Sequence, residues 1–160
     1  MVYALLQLAQ DSRARDVIAD MVATTGYAPA VRAGPYAIAA SQARYMVERG
    51  DWQGAAALKA EPSRFAYVDA ITCFARALGA ARSGNAAAAT ADIAKLAELR
   101  DKLQRDKDAY WAEIVGIQRQ AATAWQLNAQ GKQAEALEAM RLGFEARGSS
   151  GQNWIAIKST

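Results

Sequence analysis

Apolar side chains along this chain recur every three to four residues, the period of an α-helix, in runs separated by short clusters of glycine, proline and polar residues. The pattern predicts helices near residues 2–9, 11–25, 35–49, 51–60, 64–83, 85–105, 107–130 and 132–146, and so an all-α chain. The prolines agree: Pro29, Pro35 and Pro62 fall between these segments or at the start of one, where a missing N–H does no harm. TTGYAPAVRAGP, residues 24–35, reads as a loop. Gly54, Gly79, Gly116 and Gly143 fall inside proposed helices, where each costs roughly 1 kcal/mol against alanine unless close packing needs it. After Glu145 the helical period stops, and ARGSSGQNWIAIKST is rich in glycine and serine before alternating through Trp154, Ile155 and Ile157. The chain thus divides into a helical region, 1–146, and an irregular tail, 147–160. Repeat arrays normally end in a helix with a polar outer face, so the last helix pair is expected to be uncapped.

Three turns between predicted helices share a form. Arg49-Gly50 is followed by Asp51-Trp52, Ser83-Gly84 by Asn85, and Gln130-Gly131 by Lys132. Glycine closes a helix in the left-handed conformation at least steric cost, and Asp51 or Asn85 is suited to cap the helix that follows. Gly50 and Gly84 are 34 residues apart, the period of a tetratricopeptide repeat. Setting the three glycines in register aligns Ala43, Ala77 and Ala124 seven positions before, and Ala55, Ala89 and Ala136 five positions after. Small residues there let two antiparallel helices approach. A clipped fourth copy opens the chain, with Ala9 in the glycine position and Ala14 five residues later. The spacings of 41, 34 and 47 are unequal and place the longest first helix in the last pair, from about Asp106 to Ala129.

Composition supports helix. Of 160 residues 52% are hydrophobic, much of that alanine, which loses no side-chain entropy in a helix. Net charge is +3 and is spread along the chain, without a basic arm of the kind that binds nucleic acid or a membrane surface. There is no histidine, which removes the commonest transition-metal ligand and the usual general base. The single cysteine, Cys73, has no intramolecular disulfide partner and lies among apolar neighbours, where a buried, inert thiol in a reducing compartment is expected. MVYALLQLAQDSRARD lacks the basic leader of a signal peptide, and no apolar run reaches the roughly 18 residues of a membrane span. These features predict a cytoplasmic protein without metal or cofactor.

The stretches YAIAASQARYMVERGDWQGAAAL, AYVDAITCFARALGAARSGNAAAATADIAKL and AYWAEIVGIQRQAATAWQLNAQGKQAEALEAM resemble tetratricopeptide-repeat proteins, and more closely a set of uncharacterised bacterial ones. The likeness covers about Val2 to Glu145. The consensus aromatic positions are mostly Ala, Gln or Arg here, while the glycine and small-residue positions hold. That bacterial group continues into further helices, so the resemblance implies a truncated or divergent member. It also implies an α-solenoid of about four antiparallel helix hairpins, wound as a right-handed superhelix, with a concave face made mainly by the first helix of each pair. Carrying the repeat register over places Ala37, Ala40, Ser41, Arg44, Val47 and Glu48 on that face from the second pair. Ile71, Phe74, Leu78 and Arg82 follow from the third, then Gln118, Ala121, Ala122, Trp125 and Asn128 from the fourth. The Lys/Asn/Arg cluster with which some family members grip a terminal carboxylate is matched only at Arg44, with Ala40 and Ala75 in other places. A groove containing Phe74, Leu78 and Trp125 suits an apolar or amphipathic peptide. Core packing of Phe74 and Leu78 is the plainer alternative.

Other constellations have structural readings. Asp16 with Asp20, and Glu135 with Glu138, share helix faces but have no nucleophile, base or metal ligand nearby, and read as solvated surface. Glu98 with Lys102 and Asp101 with Arg105 are spaced as i,i+4 pairs, each worth a few tenths of a kcal/mol. Trp52 is adjacent to a turn, and Trp111 and Trp125, fourteen residues apart, return to nearly the same helix face as core or groove lining. The expected function is non-catalytic binding of a protein or peptide, the alternative a structural or self-associating homodimer, with no role in binding nucleic acid or membranes.

Overall fold

A computed structural model describes residues 1–24, 33–60 and 62–148. They form α1 (Val2–Gln7), α2 (Asp11–Ala23), α3 (Ala33–Glu48), α4 (Trp52–Ala56), α5 (Ala66–Arg82), α6 (Ala86–Arg105), α7 (Ala109–Ala129) and α8 (Gln133–Gly148), with no strand among the described residues. Each predicted helix is present, and α7, at 21 residues, is the longest. Two boundaries differ from the sequence expectation in an instructive way. Helix α4 ends at Ala56 instead of near residue 60, and beyond it the carbonyl of Leu58 has no i+4 N–H on offer, because residue 62 is proline. Arg76 Nη1 donates to that carbonyl instead, at 3.2 Å, and ties the exit of α4 to α5. Helix α3 starts at Ala33, so that Pro35 lies in its first turn and the predicted loop is shorter. The rest of that loop and tail residues 149–160 lie outside the described residues.

Five turns repeat one backbone device. Ala9, Gly50, Gly84, Lys107 and Gly131 have φ of 54°, 67°, 85°, 58° and 79°. In each case the next residue donates its N–H to the carbonyl five positions back: Gln10 to Leu5, Asp51 to Met46, Asn85 to Ala80, Asp108 to Leu103 and Lys132 to Leu127, at 2.9–3.0 Å. These bonds satisfy carbonyls that the last helical turn would otherwise leave unpaired. The same residue then heads the next helix. Asp51 accepts from Gly54 N at 2.8 Å, Asn85 from Ala88 N at 3.1 Å and Asp108 from Trp111 N at 3.3 Å. Ala9 adopts the glycine conformation, as the register requires. Lys107 does so without any glycine to announce it, and a left-handed residue with a Cβ costs roughly 1–2 kcal/mol.

A turn this short sends the chain straight back along the helix it has just left. Small residues therefore sit where the helices meet: Ala14, Ala43, Ala55, Ala77, Ala89, Ala124 and Ala136 are all buried. Helices α4 and α5 cross closely at Gly79. A Cβ built on Gly79 would lie 2.5 Å from both Ala56 N and Trp52 O and 2.8 Å from the Ala55 Cβ. Close packing is what this mid-helix glycine serves.

In backbone approach each helix packs on its neighbours in sequence or on the helix two places away, and longer side chains reach further, as Tyr36 of α3 does to Trp111 of α7. Helices α1, α3, α5 and α7 touch in succession, while each of α2, α4 and α6 lies between the helix before it and the helix after it. Two cores result. The larger runs from Ala39 of α3 through α5 and α6 to Ala122 of α7, with Leu96 and Val115 among its fully buried side chains. The smaller joins Val2 and Leu5 of α1, Ala14 of α2 and Tyr45 of α3.

The two glycines inside helices of the larger core are expected to respond oppositely to substitution. Gly79→Ala must push α4 from α5 and should lower the unfolding free energy by about 1–3 kcal/mol. Gly116→Ala meets only Arg100 Cδ, at 3.6 Å, and should raise it by about 0.5–1 kcal/mol through helix propensity. Urea titration followed by circular dichroism measures both changes.

Candidate partner-binding face

Helices α3, α5 and α7 begin side by side, and a cluster of aromatic side chains lies at their starts. Tyr67 of α5 stacks on Trp111 of α7 with ring centroids 4.3 Å apart and planes 12° from parallel. Tyr36 of α3 lies 6.3 Å from Tyr67 and 5.9 Å from Trp111, and Phe65 and Tyr110 flank the pair. Burial raises the pKa of the Tyr36 phenol above its ordinary value, an effect partly offset by the positive charge of Arg44. These contacts make the three helices parallel neighbours and mark one end of a seam between α5 and α7.

Arg82, in the last turn of α5, marks the other end. Its guanidinium carbon is 4.5 Å from the ring centroid of Trp52 and 4.2 Å from that of Trp125. Both indoles thus bear on the cation, an attraction worth roughly 0.5–2 kcal/mol per ring depending on desolvation. Among the described residues the side chain of Arg82 makes no hydrogen bond or ion pair, so its N–H edge stays available. Between the two ends, one face of α7 carries Trp111, Gln118 and Trp125 at seven-residue intervals. Gln118 Oε1 and Trp125 Nε1 are buried without a hydrogen-bond partner.

The residues expected on the binding face separate into groups. Arg82 and Trp125 are in contact and half-buried, and Gln118 lies two turns back along α7. Arg44 belongs to a different contact, with its guanidinium 4.8 Å from the ring centroid of Tyr3 of α1. Glu48 and Asn128 are exposed near the ends of α3 and α7. Ile71 and Phe74 are half-buried against the larger core. Leu78 is core outright, 1% exposed, and so is Ala122, so neither offers a surface to a partner. The register that placed them does not resolve the two sides of a helix packed on four others, as α5 is.

Cys73 is buried as expected, and burial pushes its thiol up to about 11. The predicted pairs Glu98–Lys102 and Asp101–Arg105 do not form. Lys95 reaches Glu98 at 2.8 Å, Lys102 reaches Asp106 at 2.7 Å, and Arg100 folds onto its neighbour Asp101 at 2.7 Å. An exposed cation meets acids on both sides at i±3 and i±4, and spacing alone does not choose between them. Sequence reasoning also missed the contact of Trp52 with Arg82. The composition shows both residues, but only the close approach of α4 to α5 at Gly79 brings them together.

Among the described residues no group of three or more Cys, Asp or Glu is arranged to hold a metal ion. No helix among them is long and apolar enough to cross a membrane. No family model, curated protein or solved structure matches the chain.

A double-mutant cycle tests the Arg82 contact. Arg82→Ala and Trp125→Leu should show a coupling of about 1 kcal/mol. The coupling should persist in 1 M salt, which would screen an exposed ion pair. Urea unfolding of the four proteins at low and high salt gives both numbers.

Proposed function

We propose that this chain is an α-solenoid of the tetratricopeptide type, built from four helix pairs, that binds a peptide or a partner protein along the face shared by α3, α5 and α7. It does so without catalysis. Two features support the architecture: packing that is mostly local in sequence, and the recurrence of one left-handed turn within each pair, after α1, α3, α5 and α7, and once between pairs, after α6. Parallel first helices in succession make a continuous surface, as repeat arrays do.

The observation that carries the binding role is the cluster of Trp52, Arg82 and Trp125. It draws on three helices, is half-buried, and combines apolar ring surface with a cation whose hydrogen-bonding edge is unused. Buried aromatic and arginine anchors of this kind are what binding surfaces rely on. The matching partner is an amphipathic segment that lays an apolar side chain against the rings and a polar group beside Arg82.

One observation favours the alternative of self-association. The large hydrophobic side chains most exposed among the described residues are Met1, Tyr3, Leu8, Val22, Tyr110, Leu137 and Leu142, and all lie in the first or last helix pair. Two copies meeting at those pairs would bury these side chains.

The test compares proteins retained by the immobilised chain and by a variant carrying Arg44→Ala, Arg82→Ala and Trp125→Ala, with equal helicity verified by circular dichroism. A protein retained by the parent and lost by the variant is the expected result. Equal retention of every protein would remove the binding face from these residues. Sedimentation over a wide concentration range reports on self-association separately.

A further inference from the structure

A cavity of ≈ 400 Å³ opens between α6 and α7, away from the proposed peptide face, and its lining includes Arg100, Gln104, Lys107, Glu113, Arg119 and Gln120. We infer that it is a binding site for a small organic anion bearing phosphate or carboxylate groups, held by Arg119 and Lys107.

Three observations carry this. The first is a charged group without a partner. Arg119 Nε is buried and unpaired, and the Arg119 side chain makes no hydrogen bond or ion pair among the described residues. A buried guanidinium N–H left unmet is unfavourable, and a bound oxyanion would meet it with charge-assisted bonds.

The second is the balance of the lining. Arg100 is turned to Asp101 through Nε and Nη2, and the side chain of Lys107 has no partner. Glu113 is the acid in the lining, set against three cations. A second cavity, ≈ 570 Å³ between α2, α3 and the segments that flank α4, shows the contrast. Its two arginines are engaged, Arg15 with the Tyr45 hydroxyl at 3.2 Å and Arg49 with Asp11 and the face of Tyr45.

The third is backbone strain. Lys107 occupies the left-handed turn position that Gly50, Gly84 and Gly131 fill elsewhere, at φ 58°. A Cβ there lowers stability, and residues held in such conformations cluster at functional sites. A lysine at this position, where glycine would fold better, places a cation in the cavity lining. Gly116 in the cavity wall keeps the space beside Arg100 open.

Isothermal titration of the full chain with inorganic phosphate, citrate and, as a neutral control, glycerol tests the site. Saturable binding of phosphate or citrate and none of glycerol is expected, and whichever anion binds identifies the group recognised. Arg119→Gln should weaken that binding by about tenfold or more. Lys107→Gly should weaken it several-fold while raising the midpoint of thermal unfolding. Ala9→Gly, the same change in a turn remote from the cavity, should raise the midpoint and leave binding as it was. The absence of saturable binding by either anion would overturn the inference. Equal binding by a folded Arg119→Gln variant would do the same, as would equal binding by the Lys107→Gly variant, which does not depend on tolerating a loss in the core.

Discussion

A single residue in left-handed backbone conformation, followed by one that closes the helix behind it and heads the helix ahead, recurs five times and sets the geometry of this protein. The N–H of Gln10, Asp51, Asn85, Asp108 or Lys132 reaches five positions back to end one helix. Three of those residues then cap the next helix through a side-chain oxygen. With so little chain between them, successive helices must lie against each other. That forces small residues to the crossing points and explains why alanine forms so much of the core. The requirement is strictest at Gly79, where even a methyl group would strike the backbone of α4.

What the turns do not determine is how one pair meets the next, and there larger side chains take over. Tyr36, Tyr67 and Trp111 align the starts of α3, α5 and α7, and Arg82 between two indoles fixes the far end of the α5–α7 seam. The first pair is held differently, by a small core around Val2, Leu5, Ala14 and Tyr45 and by the ion pair of Arg49 with Asp11. The seam that aligns the pairs is also the proposed binding surface. Packing and recognition therefore draw on the same side chains, and a partner that engages Arg82 would meet a group already held in place.

The extent to which this was legible from sequence follows the range of each interaction. Helices and turns are local, and the glycine register located four of the five left-handed turns, including the one where alanine stands in for glycine. Lys107 escaped because lysine carries no conformational signal, and Asp108 as a cap went unnoticed with it. The alanines at the crossings were legible because their spacing from the turn is constant. The residues of the proposed binding face were legible only to the level of a helix side. Trp111 and Trp125 do face α5, but Leu78 faces inward, and the partners of Arg82 and Arg44 depend on side chains converging from elsewhere.

Packing that is mostly local in sequence, with two cores, implies that stability is distributed along the chain. Native-state hydrogen exchange at low denaturant, resolved by residue, measures that distribution directly. Amides of α1 and α2 should exchange through an opening that leaves α5, α6 and α7 protected, with protection highest around Leu78, Leu96 and Val115. One common opening free energy for all helices from α1 to α7 would contradict the account, because it would require a single core joining pairs that do not touch.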